Sequence, residues 1–406
     1  MLGGKIAKLL KGSVSSATLD DLLDLLAKNN LYDIHIEPMG ETYHLRTRLN
    51  GKLQPLDKIS HKAAENLIQQ LKIRCQLPRT ATNIPQEATF LHGNLLVQFF
   101  NLPTLDGEKA YLRIINQKSI SKNLAKLGLY GQGLKECEAV NKLPSGLVIV
   151  LGEGKTTTMF SLLSRFDSNK LNLSTVERQA SYNLPNVNQF VAGDDYHSLA
   201  YDALKAAINQ RSDVILVEDI GSPELAKLAV DSAQRGRLII TSLPVNDSFA
   251  VYYFLVSMGL KPFLVASSLR LIINQKIMHT GLTTQLEARP ISTAESNQIL
   301  KDYHIKATDL HELEKQAKTA GLGENLSLST SSSAINKLFT LNTEKLTKIM
   351  GLFEVVPINE IFRNMLLAGV NERELKEHFI AHGGVDLELD YLIKALRKIV
   401  PFIKIE

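Results

Sequence analysis

A short apolar run, Gly146-Leu147-Val148-Ile149-Val150, leads into Leu151-Gly152-Glu153-Gly154-Lys155-Thr156-Thr157-Thr158 and then into Met159-Phe160-Ser161-Leu162-Leu163. No other stretch constrains the fold as strongly. An apolar strand, a glycine turn, Lys-Thr and a helix start form the arrangement that cradles a phosphate. Glycines let backbone N–H groups close around the anion, the helix N-terminus adds its dipole, the lysine reaches the outer phosphates, and a threonine hydroxyl ligates Mg²⁺. Gly152, Glu153, Gly154, Lys155, Thr156 and Thr157 are therefore candidates for holding ATP, with Thr156 also a candidate ligand of Mg²⁺. The loop is short, however. The full pattern G-x-x-x-x-G-K-[ST] would place a glycine at position 149, where the chain has Ile149.

The chain has 406 residues, 44% of them hydrophobic, which is enough for one to three domains with real cores. A net charge of +4 over that length does not mark a nucleic-acid binder, and no Lys/Arg stripe with interleaved aromatics is visible. Cys75 and Cys137 stand far apart with no C-x-x-C pair, so they read as buried or incidental thiols rather than a disulfide or metal site. The longest apolar stretch, Val251 to Ile273, is broken by Lys261-Pro262 and Arg270 and reads as buried helices, not a membrane span. Met1 to Leu10, with Lys5 and Lys8, lacks a signal-peptide core and cleavage site and reads as a solvated leader helix.

Leu19 to Leu26 carries leucines at helical spacing, and Asp33 to Glu37 then alternates like a strand. Leu45 to Leu49 alternates again, and Asn50-Gly51 is a turn signal before Lys52-Leu53. Lys62 to Leu77 reads as a helix. Strand-like runs at Asn94 to Phe100 and Lys109 to Ile115 flank the turn-rich Pro103 to Gly107. Residues 1–118 thus form one small α+β domain, with 119–126 as linker. From 127 to 406 the pattern becomes α/β. Leu147–Leu151, Leu173–Val176, Val214–Val217 and Leu238–Thr241 are apolar strands suited to a parallel sheet covered on both faces. Ser327 to Ser333 reads as a connector, and the segment from Leu338 onward as helical.

A phosphate loop needs acids at neighbouring strand ends to hold Mg²⁺ and to position the attacking water. Asp213-Val214-Ile215-Leu216-Val217-Glu218-Asp219 ends in two adjacent carboxylates, and Glu177 ends the run Leu173-Ser174-Thr175-Val176. Asp219, Glu218 and Glu177 are the catalytic candidates, with Glu218 also a candidate metal ligand. The bland reading of Glu177 is an exposed loop acid.

With these residues in place, the chain resembles the bacterial ATPases that drive type II secretion and type IV pilus assembly, over nearly its whole length. Tyr32-Asp33-Ile34-His35-Ile36-Glu37-Pro38 is similar to that family's S-D-I-H-I-E-P, and Arg46-Thr47-Arg48-Leu49-Asn50-Gly51 to its R-x-R-x-D-G. Leu102 to Lys109 resembles L-P-T-x-x-G-E-K, Leu264 to Gln275 resembles L-V-A-S-S-L-x-x-V-x-A-Q-R, and Gly351 to Val355 resembles a G-x-x-E-V strand. The resemblance implies a RecA-like P-loop NTPase core behind a smaller N-terminal α+β domain, within homo- or hetero-hexameric rings. There the N-terminal domain supplies arginines such as Arg46, Arg48 and Arg113 to bound nucleotide, and hydrolysis moves an inner-membrane platform protein. It further implies a cytoplasmic location at the inner face of the membrane, reached only through partners, and no nucleic-acid ligand.

The departures from the family pattern lie in the catalytic parts. The phosphate loop lacks two residues of G-P-T-G-S-G-K-T-T-T, and Arg178 replaces the aspartate of T-x-E-D-P. Asp219 stands for the glutamate of V-G-E-x-R-D, with Glu218 in place of its glycine. Gly236 to Asp247 carries neither histidine of the G-H-L-V-L-S-T-L-H-T-N-D box, Gln98 replaces an arginine, and Met278 to Gln285 has no cysteine for a zinc loop. Losing one preorganised donor typically costs about 10²–10³ in rate, and losing an arginine finger about 10³–10⁵. The sequence therefore supports a degenerate, nucleotide-binding pseudo-ATPase subunit or regulator, with an active hexameric motor as the alternative in which Glu218 takes over the displaced role. The side chain of Arg178 either enters the phosphate pocket or pairs with Glu218 or Asp219.

Overall fold

The computed structural model describes residues 2–11, 14–49, 52–280, 286–290, 292–302, 337–341, 348–396 and 400. The chain divides into two compact units, one built from Met1–Ser119 with Lys345–Ile349, the other from Ile120–Glu344 with Met350–Glu406.

The first unit runs α1 (Leu2–Leu10), α2 (Ser16–Lys28), β1 (Asp33–Met39), β2 (Thr42–Leu49), β3 (Lys52–Ser60), α3 (His61–Arg74), β4 (Gln86–His92), β5 (Leu95–Thr104) and β6 (Gly107–Asn116). Its six strands form an antiparallel sheet in the order β3-β2-β1-β6-β5-β4. Period-2 alternation sends Ile34, Ile36, Tyr43, Leu45, Val97, Phe99, Leu112 and Ile114 to one face, where they share a core with Leu19, Leu22, Leu23 and Leu26 of α2 and Leu67 and Leu71 of α3. Ser15 closes a capping box on α2, and the Ser60 hydroxyl accepts from the Ala63 N–H to cap α3. One expectation is corrected. The N-terminal helix is not a solvated leader, because Ile6 and Leu10, one turn apart, are fully buried in this core. Its lysines conceal an apolar stripe on the opposite side.

The second unit runs α4 (Gly131–Ala139), β7 (Gly146–Gly152), α5 (Lys155–Leu163), β8 (Leu173–Glu177), β9 (Asn188–Val191), α6 (Tyr196–Asn209), β10 (Val214–Val217), α7 (Pro223–Gln234), β11 (Leu238–Thr241), α8 (Val251–Ser257), α9 (Pro262–Ser268) and β12 (Leu269–Thr280). It continues through β13 (Leu286–Pro290), α10 (Thr293–Asp302), β14 (Lys337–Leu341), β15 (Lys348–Pro357), α11 (Glu360–Leu367), α12 (Glu372–Ala381) and α13 (Leu387–Leu396). Its main sheet has the order β15-β12-β7-β11-β10-β8-β9. The pairs β12–β7, β7–β11, β11–β10, β10–β8 and β8–β9 are all parallel. The apolar runs at 147–151, 173–176, 214–217 and 238–241 are buried strands, because helices cover the sheet.

Two further expectations are corrected here. The apolar stretch ending at Ile273 is helical only to Ser268; from Leu269 it is β12, hydrogen-bonded alongside β7. A short apolar run cannot be assigned to strand or helix by periodicity alone, and pairing with a central strand decides it. The segment after Leu338 is strand in β14 and β15 before turning helical at Glu360. The stretch Ser327 to Ser333 and the Asn50-Gly51 turn lie outside the described residues.

Candidate functional site

Parallel pairing places the C-terminal ends of β7, β10 and β8 on one edge of the sheet, the usual ligand edge of such sheets. The glycine turn, the Glu218-Asp219 pair and Glu177 thus share that edge.

The turn itself is tight. The β12–β7 ladder runs through Gly152, which pairs with Gln275, so only Glu153 and Gly154 separate strand from helix. Gly152 and Gly154 hold φ of 82° and 78°, the left-handed region open to glycine. A Cβ at Gly152 would lie 1.9 Å from the Gln275 carbonyl oxygen, and one at Gly154 would lie 2.9 Å from Gln275 Nε2. Both glycines are required by the close approach as well as by φ. Buried Gln275 donates from Nε2 to the Glu153 carbonyl at 2.6 Å, which fixes the turn from below. Gly154 caps α5 with no side chain in the way, and an α-helix leaves its first N–H groups without a carbonyl four residues back. Lys155 opens the helix, and Thr156 and Thr157 follow in the same turn. This part of the site fits an anionic phosphate.

The acids behave differently. Glu177 is buried, and both of its oxygens accept hydrogen bonds: Oε1 from Thr175 Oγ1 at 2.6 Å and Gln189 Nε2 at 2.9 Å, Oε2 from the Ser181 N–H at 3.1 Å. Burial still raises its pKa, because desolvation outweighs the three donors, and the charge of Glu218 adds to the rise. The bland alternative, an exposed loop acid, does not describe it; the carboxylate accepts from the turn that follows β8. Glu218 accepts the Arg178 N–H on Oε2 at 2.6 Å, and its carbonyl accepts from Ser242 Oγ at 2.7 Å. Asp219 Oδ1 accepts the Gly221 N–H at 2.6 Å. Its backbone is clamped by the Tyr196 hydroxyl, which donates to the Asp219 carbonyl and accepts its N–H, both at 3.0 Å. The Arg178 guanidinium sits over the Tyr196 ring, 5.3 Å from its centroid, while its backbone N–H donates to Glu218.

Sequence reasoning missed Tyr182, Gln189, Tyr196 and, as a loop support, Gln275. Tyr182 Oη shares a hydrogen bond of 2.7 Å with Thr157 Oγ1, and its ring packs on Phe160 at 5.1 Å between centroids. Of the two first-turn threonines, Thr157 is therefore engaged within the protein. Thr156 and Glu218, the residues the sequence offers for Mg²⁺, lie at the ends of β7 and β10 on the same sheet edge. None of these residues falls in a periodic pattern, so only proximity in the fold could reveal them.

Within the first unit, the sheet face opposite the apolar core carries polar side chains, of which Glu37 and Gln98 are buried. Arg46 donates from Nε to Glu37 Oε2 at 2.6 Å, and Lys109 reaches Glu37 Oε1 at 2.8 Å. Burial alone would raise the Glu37 pKa, but Lys109 and Arg46 together hold it below the usual carboxylate range. Burial lowers that of His35 beside it. Gln98, where the family pattern has an arginine, is buried in β5 opposite Arg113. Cys75 and Cys137 are free thiols, the former pushed up to about 12 by burial, so neither is a reactive nucleophile. Among the described residues no group of three or more metal-ligating side chains occurs, and no helix is long and apolar enough to cross a membrane.

The family described as "Type II/IV secretion system protein" matches residues 11–383. The putative type II secretion system protein E of Escherichia coli (strain K12) is 28% identical over 299 residues, covering 72% of this chain and 60% of that protein. The type IV pilus assembly ATPase PilB of Myxococcus xanthus (strain DK1622) is 30% identical over 264 residues, covering 63% of this chain and 46% of that protein. The chain thus spans about half to three-fifths of these relatives. Among solved structures, the Legionella pneumophila ATPase DotB superposes with a TM-score of 0.61 at 15% identity, covering 95% of this chain and 94% of that one. The pilus retraction motor PilT with bound ADP gives 0.54 at 17%, covering 92% and 96%. Those two likenesses are of fold, and they give the second unit's parallel sheet its RecA-like character. With the family match extending over most of its length, the chain belongs to the type II/IV secretion system protein family.

Proposed function

We propose that this chain is a nucleotide-binding subunit or regulator of a pilus-assembly or secretion machine, with hydrolysis slow or absent. The observation that carries the reading is the contrast on the ligand edge. The turn Gly152–Gly154 and the start of α5 keep the backbone for a phosphate, while each candidate acid spends at least one oxygen on a backbone donor, of its own loop for Glu177 and Asp219 and of the loop after β8 for Glu218. When bound, Mg²⁺ would offset charge on the outer phosphates of ATP. On this side Thr156 and Glu218 would hold it, and Lys155 would meet the phosphate oxygens. Glu177, with both oxygens engaged, serves as an anchor of its loop in this reading, and Asp219 and Glu218 remain the candidates for orienting water.

The relatives are named for type II secretion and for a type IV pilus assembly ATPase, and in this proposal the protein sits with related ATPase subunits in a homo- or hetero-hexamer. In that setting it acts on an inner-membrane platform protein, in the cytoplasm at the membrane's inner face and attached only through partners. The two units correspond in this proposal to an N-terminal domain of residues 1–118, a linker of 119–126 and a nucleotide-binding domain of 127–406.

The second reading, an active motor, is favoured by one observation: among the described residues, the side-chain hydrogen bonds that Glu218 and Asp219 accept fall on one carboxylate oxygen of each. Calorimetry of Mg-ATP binding, with and without Lys155→Ala, followed by phosphate release on the same samples, separates the two. Lysine-dependent binding with negligible release is the expected result. Release at about 1 s⁻¹ or faster, a normal enzymatic rate, would establish the motor instead. No binding at millimolar ATP by folded protein would remove the nucleotide from both.

A further inference from the structure

The loop between β8 and β9 touches both halves of the ligand edge. At one end the Arg178 N–H donates to Glu218 Oε2 at 2.6 Å. Further along, the Tyr182 hydroxyl meets Thr157 Oγ1 at 2.7 Å. Between them lies a closed network centred on one amide. Gln189 Nε2 donates to the Tyr182 carbonyl at 2.7 Å and to Glu177 Oε1 at 2.9 Å, and Gln189 Oε1 accepts the Leu184 N–H at 3.0 Å. Glu177 Oε2 takes the Ser181 N–H next door. The backbone on both sides of Tyr182 is thereby held, and its side chain, 2% exposed, has its ring fixed against Phe160.

A threonine hydroxyl has one proton and two acceptor sites. Between the Tyr182 and Thr157 hydroxyls either oxygen can be the donor. An anion in the glycine turn removes that degeneracy. Thr157 then gives its proton to the anion and accepts the proton of Tyr182, so the two hydroxyls point one way. Hydrogen bonds in such a chain strengthen one another, and the one that ends on an ionised acceptor is the strong one.

We propose that Tyr182 is a positioning residue that orients the Thr157 hydroxyl toward a bound phosphate and couples occupancy of the glycine turn to the Arg178–Val187 loop, and so to Glu218. This rests on the reading of Gly152–Thr157 as a phosphate-binding turn.

The experiment uses the full chain, with ATP in magnesium buffer as the probe. Calorimetric affinities are measured for wild type, Tyr182→Phe, Thr157→Val and the double variant, beside hydrogen exchange of the Arg178–Val187 loop with and without ATP. Tyr182→Phe keeps the ring on Phe160 and removes only the hydroxyl. It should weaken ATP about fivefold, the effect of one hydrogen bond. The two substitutions should be non-additive, the double variant binding no worse than Thr157→Val alone. ATP should slow exchange in the loop of wild type but not of Tyr182→Phe. Additive losses, or unchanged affinity in Tyr182→Phe, would overturn the positioning role. Wild-type protein that binds ATP with no change in loop exchange would overturn the coupling while leaving the phosphate reading intact. Wild-type protein that fails to bind ATP would remove both. The exchange measurement on wild type needs no variant, so the test holds even if a substitution disturbs folding.

Discussion

The glycine turn before α5 and the acid-bearing turns after β8 and β10 share one sheet edge but are built on different principles. The turn is specified by backbone: two left-handed glycines, Gly152 against the Gln275 carbonyl and Gly154 against the Gln275 and Ile277 side chains, shape it, and it carries no side-chain cap of its own. The acid turns are specified by side chains, Glu177 and Asp219 accepting from N–H groups of their own loops and Glu218 from the Arg178 N–H of the neighbouring one. Retaining an anion cradle and retaining a hydrolytic apparatus are therefore separable. The first survives as long as the strand–glycine–helix geometry survives. The second requires carboxylates left available at the right distance.

Gly152→Ala offers the largest test of that separation. It forces a side chain into a left-handed position and against the Gln275 carbonyl, so we expect a loss of about 4 kcal/mol in urea unfolding. An unchanged midpoint would mean the turn is not set by close approach.

Glu354 sharpens the contrast by showing an acid that is buried with fewer donors. Desolvation raises its pKa to about 7 although Ser248 donates to it, with Asp386 adding to the rise and Lys376 opposing it. A carboxyl raised from 4.5 to about 7 in the folded state binds its proton more tightly there than in the unfolded chain. Its contribution to stability is therefore best below pH 4.5, falls as pH rises through the window to about 7, and stays low above it. Glu354→Gln should remove that dependence and stabilise the protein by about 3 kcal/mol at pH 8, with little gain at acid pH. Melting temperatures of both proteins from pH 4 to pH 8 would show it, and parallel curves would refute it.

Lys155→Ala should leave the melting temperature nearly unchanged while weakening ATP by about 2 kcal/mol, some thirtyfold, the worth of a charge-assisted hydrogen bond. Equal affinity would place the anion elsewhere. The smallest effect is expected for Asp219→Asn. If the acid turns serve the loops rather than the nucleotide, ATP affinity should change by less than about twofold, within the usual range of a surface substitution. A large change would join the two regions into one working site and favour the motor.

Much of the fold was legible from local pattern. Leu147–Leu151, Leu173–Val176, Val214–Val217 and Leu238–Thr241 are strands because continuous apolar runs of that length suit a sheet covered on both faces. The stretch through Ile273 was not legible, since Leu269–Ile273 is equally apolar as helix or strand until β7 supplies its hydrogen bonds. Burial of α1 was hidden for a related reason. Ile6 and Leu10 form a narrow stripe whose partner lies across the sheet of the first unit.

By itself, the sequence determined that a strand, two glycines, Lys155 and a helix start come in that order, and that Glu177, Glu218 and Asp219 follow other strands. Covalent order and residue chemistry suffice for that. Only the tertiary structure decided what each group is free to do. Which donors reach the Glu177 oxygens, where the Arg178 guanidinium rests, and that Thr157 meets Tyr182 depend on loops brought together by parallel strands far apart in the chain. A side chain's availability is set by its neighbours in space, and sequence order does not carry that information.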